Sequence, residues 1–201
     1  MGDVDWDERY AGHDQQMWSG RANGVLLVEI AGAAPGRALD VGCGEGADAM
    51  WLASQGWQVT AVDVSRVALD RAEVAARAAG LTVDWVQSDV VVTPPDPGAY
   101  DLVSVHYPAL LRTPDDDAIR GLLAAVAPQG TLLAVGHWPI DAEHARARGF
   151  DPADYVHVAD VAAHLDDGWT IEVDETRLRV DPAPEGTPHT HDTVLKARRR
   201  P

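Results

Sequence analysis

Basic side chains are scarce in this chain: 16 Lys and Arg stand against 32 Asp and Glu, a formal net charge of −16 over 201 residues. Nucleic-acid affinity depends on neutralising phosphates with Lys and Arg, so the composition argues against a broad phosphate-binding surface. The strongly basic run KARRR, residues 196–200, reads as a solvated end. Cysteine occurs once, as Cys43, which excludes an intramolecular disulfide, and no Cys/His spacing suits zinc. No apolar run approaches the roughly 18 residues of a membrane span. The opening MGDVDWDERY is polar and acidic without a secretory apolar region, and Trp6 stands where a myristoylation motif needs Ser or Thr. Internal repeats and low-complexity tracts are missing too. With 46% hydrophobic residues the chain can bury a sizeable core. The expectation is a soluble cytoplasmic protein, monomer or homodimer, of one domain spanning 1–201, with no metal and no membrane partner.

What is present is an alternation of strand-like and helical runs. RALDV (37–41) reads as a buried strand, followed by a glycine turn and a helix near 47–54 that Gly56 ends. WQVTAVD (57–63) is the next strand. Ser65 suits the N-cap of a helix whose Ala68, Leu69, Ala72, Ala75, Ala76 and Ala79 share one face, closed by Gly80. A third strand is expected at 82–89, a Pro-rich connector at 93–100 and a fourth strand at 101–106. Thr113 is the expected N-cap of the next helix, with Pro114 at its first position and Asp115 and Asp116 in its first turn, running to about Ala127. A fifth strand follows at 130–137. Strands alternating with crossover helices predict a parallel α/β sheet with helices on both faces. Beyond it come a polar insertion (138–155), a short helix near 156–166, and strands at 169–180 and 190–199 joined by a Pro-rich turn. These last two predict an antiparallel edge hairpin, with 190–199 as the exposed edge strand.

Ligands of open parallel sheets bind beyond the C-terminal strand ends. There stand Asp40 to Gly46, Asp63, Ser88 and Asp89, His106 and Tyr107, and His137. Gly42-x-Gly44-x-x-Ala47 fits the dinucleotide fingerprint, and Asp63, 21 positions after Gly42, suits a ribose. A pyrophosphate at the helix start would meet Glu45 and Asp48, which add like charge. A rim carrying Asp40, Asp63 and Asp89 suits instead a nucleoside with an ammonium and a sulfonium, as in S-adenosylmethionine.

ALDVGCGEG, VTAVDVS and VQSDV resemble, in order and spacing, the cofactor motifs of the class I S-adenosylmethionine-dependent methyltransferases, over roughly residues 20–137. Together with WDERYAGHDQQMWSGR they look most like the small tellurite-resistance and thiopurine S-methyltransferase-like branch. The resemblance implies a Rossmann-like three-layer sandwich, a mostly parallel seven-stranded sheet with an antiparallel C-terminal edge hairpin. It also implies an N-terminal helical cap (1–33) and a cofactor-binding core (37–137), while the insertion 138–155 reads as a substrate lid or, alternatively, a surface excursion. Carried over by residue, Gly42 and Gly44 would admit the methionine moiety, Cys43 completing the tight turn, and Asp40 would orient its ammonium. Asp63 would hold the ribose, Val64 flank the adenine, and Asp89 with Val90 meet its edge. His106 would lie near the sulfonium and the acceptor, with Trp18 and Arg21 folding over the cofactor.

Transfer from a sulfonium is an in-line displacement whose leaving thioether needs no proton, so alignment dominates. A base matters only for a protonated, weakly nucleophilic acceptor. His106, Tyr107 and His137 are the candidate catalytic residues. The amino-methylating relatives carry an Asn/Asp-Pro-Pro-aromatic motif where this chain has HYPA (106–109), which points to a small-molecule S, Se, Te or O acceptor rather than nucleic acid. Arg177 with Arg179, and His189 with His191, share faces by twos and could meet an anionic acceptor. Trp138, His144, Arg146 and Phe150 would furnish the lid. Two alternatives stay open. One is an NAD(P)-dependent oxidoreductase, for which the single lysine, Lys196, leaves no Tyr-x-x-x-Lys pair. The other is a non-catalytic S-adenosylmethionine-binding protein.

Overall fold

The computed structural model describes residues 4–14, 16–147, 149–181 and 189–201. The Pro-rich turn expected between the last two strands therefore lies outside the described residues, as does the side chain of His144. Seven strands form one sheet: β1 (Arg37–Val41), β2 (Gln58–Asp63), β3 (Asp84–Gln87), β4 (Tyr100–His106), β5 (Val126–Trp138), β6 (Trp169–Leu178) and β7 (His191–Arg199). Their spatial order is β3-β2-β1-β4-β5-β7-β6. The first five run parallel, and β7 is antiparallel to both β5 and β6. The chain leaves β1 toward β2 and β3, then returns to β4 on the other side of β1. That reversal opens a crevice beyond the C-terminal ends of β1 and β4.

The helices are α1 (Trp6–Ala11), α2 (Gly24–Glu29), α3 (Ala47–Ser54), α4 (Arg66–Ala78), α5 (Asp117–Ala125), α6 (Ala142–Ala147) and α7 (Val158–Ala163). None of the described helices is long and apolar enough to cross a membrane. Alternate strand residues divide the core in two. Leu39, Val41, Val103, Val105 and Leu132 pack with Ile119 and Leu122 of α5 and Val158 and Val161 of α7. Ala38, Ala61, Leu102, Leu133 and Val135 pack on the other face with Val25 and Leu26 of α2 and Ala49 and Leu52 of α3. This two-sided burial is why the central strands read as continuous apolar runs.

Several expected boundaries move. Ser65 caps α4 as expected, accepting from the Ala68 N–H, but Ala75 and Ala79 are exposed, so the buried face narrows to Ala68, Leu69, Ala72 and Ala76. Thr113 is not the N-cap of α5. Asp116 occupies that position in the left-handed region, while Thr113 Oγ1 accepts the Asp117 N–H across a preceding turn. The exposed edge strand is β6, not 190–199. β7 is inserted between β5 and β6, and Val194, Leu195 and Ala197 are fully buried there. Its Val194, Leu195 and Ala197 have a sheet neighbour on each side, whereas β6 carries Glu172, Asp174, Glu175 and Arg177 along an open edge.

Candidate active site

The glycine turn begins where β1 ends. Gly42 and Cys43 donate N–H bonds to the Val62 carbonyl, which docks the turn on β2. Gly44 and Gly46 both sit at positive φ. A Cβ on Gly44 would stand 2.8 Å from the Tyr10 hydroxyl, and one on Gly46 2.5 Å from the Trp85 ring and 2.9 Å from Ala72. Only glycine supplies both the conformation and the closeness. Asp63, at the end of β2, ties this turn to α4: Oδ2 accepts from Gly44 N at 2.8 Å and Oδ1 from Ser65 N at 2.9 Å.

Three carboxylates share this crevice, Asp40, Asp48 and Asp63, each under a tenth exposed. Burial, then Asp48 and Asp63, hold the Asp40 carboxyl well above the usual carboxylate range. Burial also raises Asp63, against the N–H donors of Ser65 and Gly44. Asp40 Oδ2 is buried with no hydrogen-bond partner among the described residues. The two acids expected to repel a pyrophosphate from the helix start do something else. Glu45 accepts the N–H groups of Met17 and Trp18 and pairs with Arg71 at 3.1 Å. Asp48 takes the Asn23 backbone N–H and side-chain amide, each at 2.7 Å. Both therefore clamp the segment around 16–23 onto the core, and neither is solvent-directed.

Around the mouth, Val64 is 43% exposed, Asp89 is exposed with Oδ1 accepting from Val91 N, and the Val90 side chain is buried in the core. Trp18 donates its indole N–H to Tyr10 at 3.0 Å and lies over Gly44, and Arg21 follows in an exposed turn. Cys43 is a partly buried turn residue whose thiol is pushed up by burial and by Asp40 and Asp63, the opposite of an activated thiolate. All of these line one cavity of about 1060 Å³.

His106, Tyr107 and His137 line the same cavity. His106 ends β4 with Nδ1 3.1 Å from Ser104 Oγ and 3.4 Å from Asp48 Oδ2, and Nε2 without a partner among the described residues. Burial holds its pKa below the usual histidine value, against the pull of Asp48. Tyr107 follows at φ 51, a conformation uncommon outside glycine, and its hydroxyl donates to Asp192 at 3.0 Å. Its ring stacks on His137 at 4.0 Å, which stacks in turn on His189 at 4.3 Å. Arg179 closes the group, 3.2 Å from His137 Nδ1, 3.3 Å from Asp192 and 5.2 Å from the Tyr107 ring centre. Burial, His189 and Arg179 push His137 down to about 3.

The paired readings of Arg177 with Arg179 and of His189 with His191 separate here. Arg177 bonds Glu29 and Glu175 away from the cavity, and His191 bonds Thr190, whereas Arg179 and His189 enter the ring stack. Past the end of β6 the period-two relation lapses. From 138–155, Trp138, Ile140, Ala145 and Phe150 line the cavity, while Arg146 pairs with Asp151 on the surface. Phe150 packs at 6.0 Å from Trp6 and 5.9 Å from Tyr155, beneath Arg9. Of the aromatic wall the sequence pointed only to Phe150; Trp6 and Tyr155 as wall residues, and Ser104, Asp192 and Tyr10, carry no such signal. Asp192 sits among polar neighbours in HTHDTVL, so no local pattern marks it as buried. Among the described residues no cluster of three or more potential ligands could hold a metal.

Comparison with known proteins completes the site. A family model described as a methyltransferase domain matches residues 38–130. The ribosomal RNA small subunit methyltransferase C of Chromohalobacter salexigens is 33% identical over 118 residues, 56% of this chain and 35% of that protein. The ubiquinone biosynthesis O-methyltransferase of Xanthomonas euvesicatoria is 36% identical over 108 residues, 53% of this chain and 44% of that one. The matched part thus spans less than half the length of either curated relative. A solved structure concerned with conversion of a disulfide bond into a thioacetal group during echinomycin biosynthesis superposes with a TM-score of 0.75 at 25% identity, covering 97% of this chain and 92% of that one.

Proposed function

Because the chain belongs to the class I S-adenosylmethionine-dependent methyltransferases, we propose that it transfers the methyl group of S-adenosylmethionine to a small-molecule nucleophile. The observation that carries this reading is Asp40. The residue is 2% exposed, one of its oxygens is unpartnered among the described residues, and burial, then Asp48 and Asp63, raise its pKa. A cation in the crevice relieves that arrangement, and a pyrophosphate aggravates it.

The residues fit the cofactor. Asp40 would hold the ammonium, and Gly42, Cys43 and Gly44 the methionine backbone. Asp63 accepts from Gly44 and Ser65 and keeps lone-pair capacity for the ribose. Val64, Asp89 and Val90 would border the adenine, with Trp18 and Arg21 above. When bound, the cofactor supplies an electrophilic methyl on a sulfonium. The chain's part is to exclude water and hold the acceptor in line, an alignment worth about 7–11 kcal/mol. Residues 138–155 would cover the acceptor side, and His106, Tyr107 and His137 would face the reacting atom.

A small acceptor is supported by the concave cavity with its Trp6, Phe150 and Tyr155 wall, by the net charge of −16, and by the relative named for ubiquinone biosynthesis. The ribosomal RNA relative suggests a nucleic-acid acceptor, which that charge disfavours.

Thermal denaturation with S-adenosylhomocysteine, S-adenosylmethionine or NADH tests the reading. At 100 times its dissociation constant, either sulfur ligand should add about 2.7 kcal/mol of stability. A shift with NADH and none with the sulfur ligands would overturn it.

A further inference from the structure

Among the three acceptor-side candidates, hydrogen bonding assigns different protonation states to each. The Tyr107 hydroxyl is committed to Asp192. Arg179 can only donate, so His137 Nδ1 must accept from it, and the proton of the neutral ring sits on Nε2. His137 is therefore a donor, not a base, on its free side. His106 is the reverse case. Its Nδ1 lies 3.4 Å from an Asp48 oxygen, and a carboxylate can only accept. A lone pair at Nδ1 would face that charge, so Nδ1 carries the hydrogen and Nε2 the lone pair. The Ser104 hydroxyl, 3.1 Å from Nδ1, accepts a share of it or turns aside. Nε2 is then a buried acceptor with no partner among the described residues, on a side chain that lines the cavity. Buried polar side-chain atoms in native folds are nearly always paired, so this one calls for an explanation.

Resting on the methyltransferase reading, we propose that Asp48 orients His106 so that His106 Nε2 takes the proton of an acceptor whose nucleophilic atom arrives protonated. The acceptor class is then a neutral hydroxyl or thiol, and not an oxyanion or chalcogenide. For a hydroxyl acceptor, the O–H bond breaks with its proton passing to Nε2 while the oxygen–methyl bond forms. The carbon–sulfur bond of the sulfonium donor breaks, and its electron pair stays on sulfur. The imidazolium is paired with Asp48 until the proton leaves to water. Burial keeps His106 neutral at pH 7, so the base form is the resting one. The charged groups facing it are Asp48 from α3 and Asp192 from β7. Asp48 is a positioning residue here, and His106 the catalytic one.

The test uses the full chain with ¹⁵N-labelled histidine and bound S-adenosylhomocysteine, read by long-range ¹H–¹⁵N correlation and assigned with His106→Gln. We expect the Nδ1–H tautomer of His106 to dominate by about tenfold or more, because a carboxylate oxygen 3.4 Å from Nδ1 repels a lone pair and attracts a hydrogen there. Asp48→Asn should lose that preference, and Ser104→Ala should keep it. Phenol, as a neutral hydroxyl probe, should shift the Nε2 resonance, and sodium tellurite should not. An Nε2–H tautomer in the wild type, or a preference that survives Asp48→Asn and fails in Ser104→Ala, would overturn the pairing. An Nε2 resonance indifferent to phenol would overturn the acceptor class. Calorimetry of S-adenosylhomocysteine with the wild type separates the levels: no binding there removes the methyltransferase reading itself, which no tautomer result can do.

Discussion

Asp40 places a carboxyl in the crevice with one oxygen unpartnered among the described residues. In the unfolded chain it titrates at the ordinary aspartate value; in the fold, burial, Asp48 and Asp63 hold it well above. Between those two values the native state carries the extra proton, so stability falls as pH rises through that window and stays lowered above it. Asp40→Asn removes this penalty. The free variant should melt above the wild type at pH 8, with the gap closing near pH 4. Its affinity for S-adenosylhomocysteine should fall about tenfold or more, since a hydrogen bond to a charged group is lost. Calorimetry with melts at the two pH values checks both halves, and unchanged affinity would remove Asp40 from the cradle. The position of this residue was legible in ALDVGCGEG because strand ends carry the ligands of such sheets. Glu45 and Asp48 were legible only as acids near a helix start. Their partners, Met17, Trp18 and Asn23, lie 25 to 28 positions away in sequence, and no local pattern reports that pairing.

At the scale of elements, the segment around 16–23 is held by Glu45 and Asp48 and not by its own secondary structure. Glu45→Ala leaves the N–H groups of Met17 and Trp18 without their acceptor and takes the carboxylate from Arg71. We expect a loss of about 1–3 kcal/mol in stability and faster tryptic cleavage at Arg21, read by urea denaturation and limited proteolysis. Unaltered cleavage would mean the clamp does not hold the segment. The same scale explains the misplaced edge. The tandem strands were recognised by their alternation and the missing crossover helix, but which of them adjoins β5 depends on burial. Val194, Leu195 and Ala197 fit a sheet interior, and charge-rich β6 fits the rim. The start of α5 was misread for a related reason: Thr-Pro-Asp-Asp-Asp (113–117) offers several oxygen acceptors in succession, and the turn geometry selects among them.

Taken whole, the molecule carries a net charge of −16, which bears on its partners more than on its fold. A ribosomal RNA fragment at 150 mM salt should bind with a dissociation constant weaker than about 100 µM, the loose end of non-specific binding. A gel shift at micromolar protein that weakens with salt would overturn the small-molecule reading. The sequence by itself determined the sheet's alternation, the glycine turn, the acids at successive strand ends and the exclusion of a basic surface. Each of these depends on residue type and short-range spacing, which the backbone converts directly into strand, turn and strand end. Only the tertiary structure decided which acid meets which partner. It set Asp48 beside His106, Arg179 beside His137, and left one oxygen of Asp40 without a partner among the described residues. Those pairings join α3 to β4 and β5 to the end of β6, and a contact across the sheet is fixed by packing, not by distance along the chain.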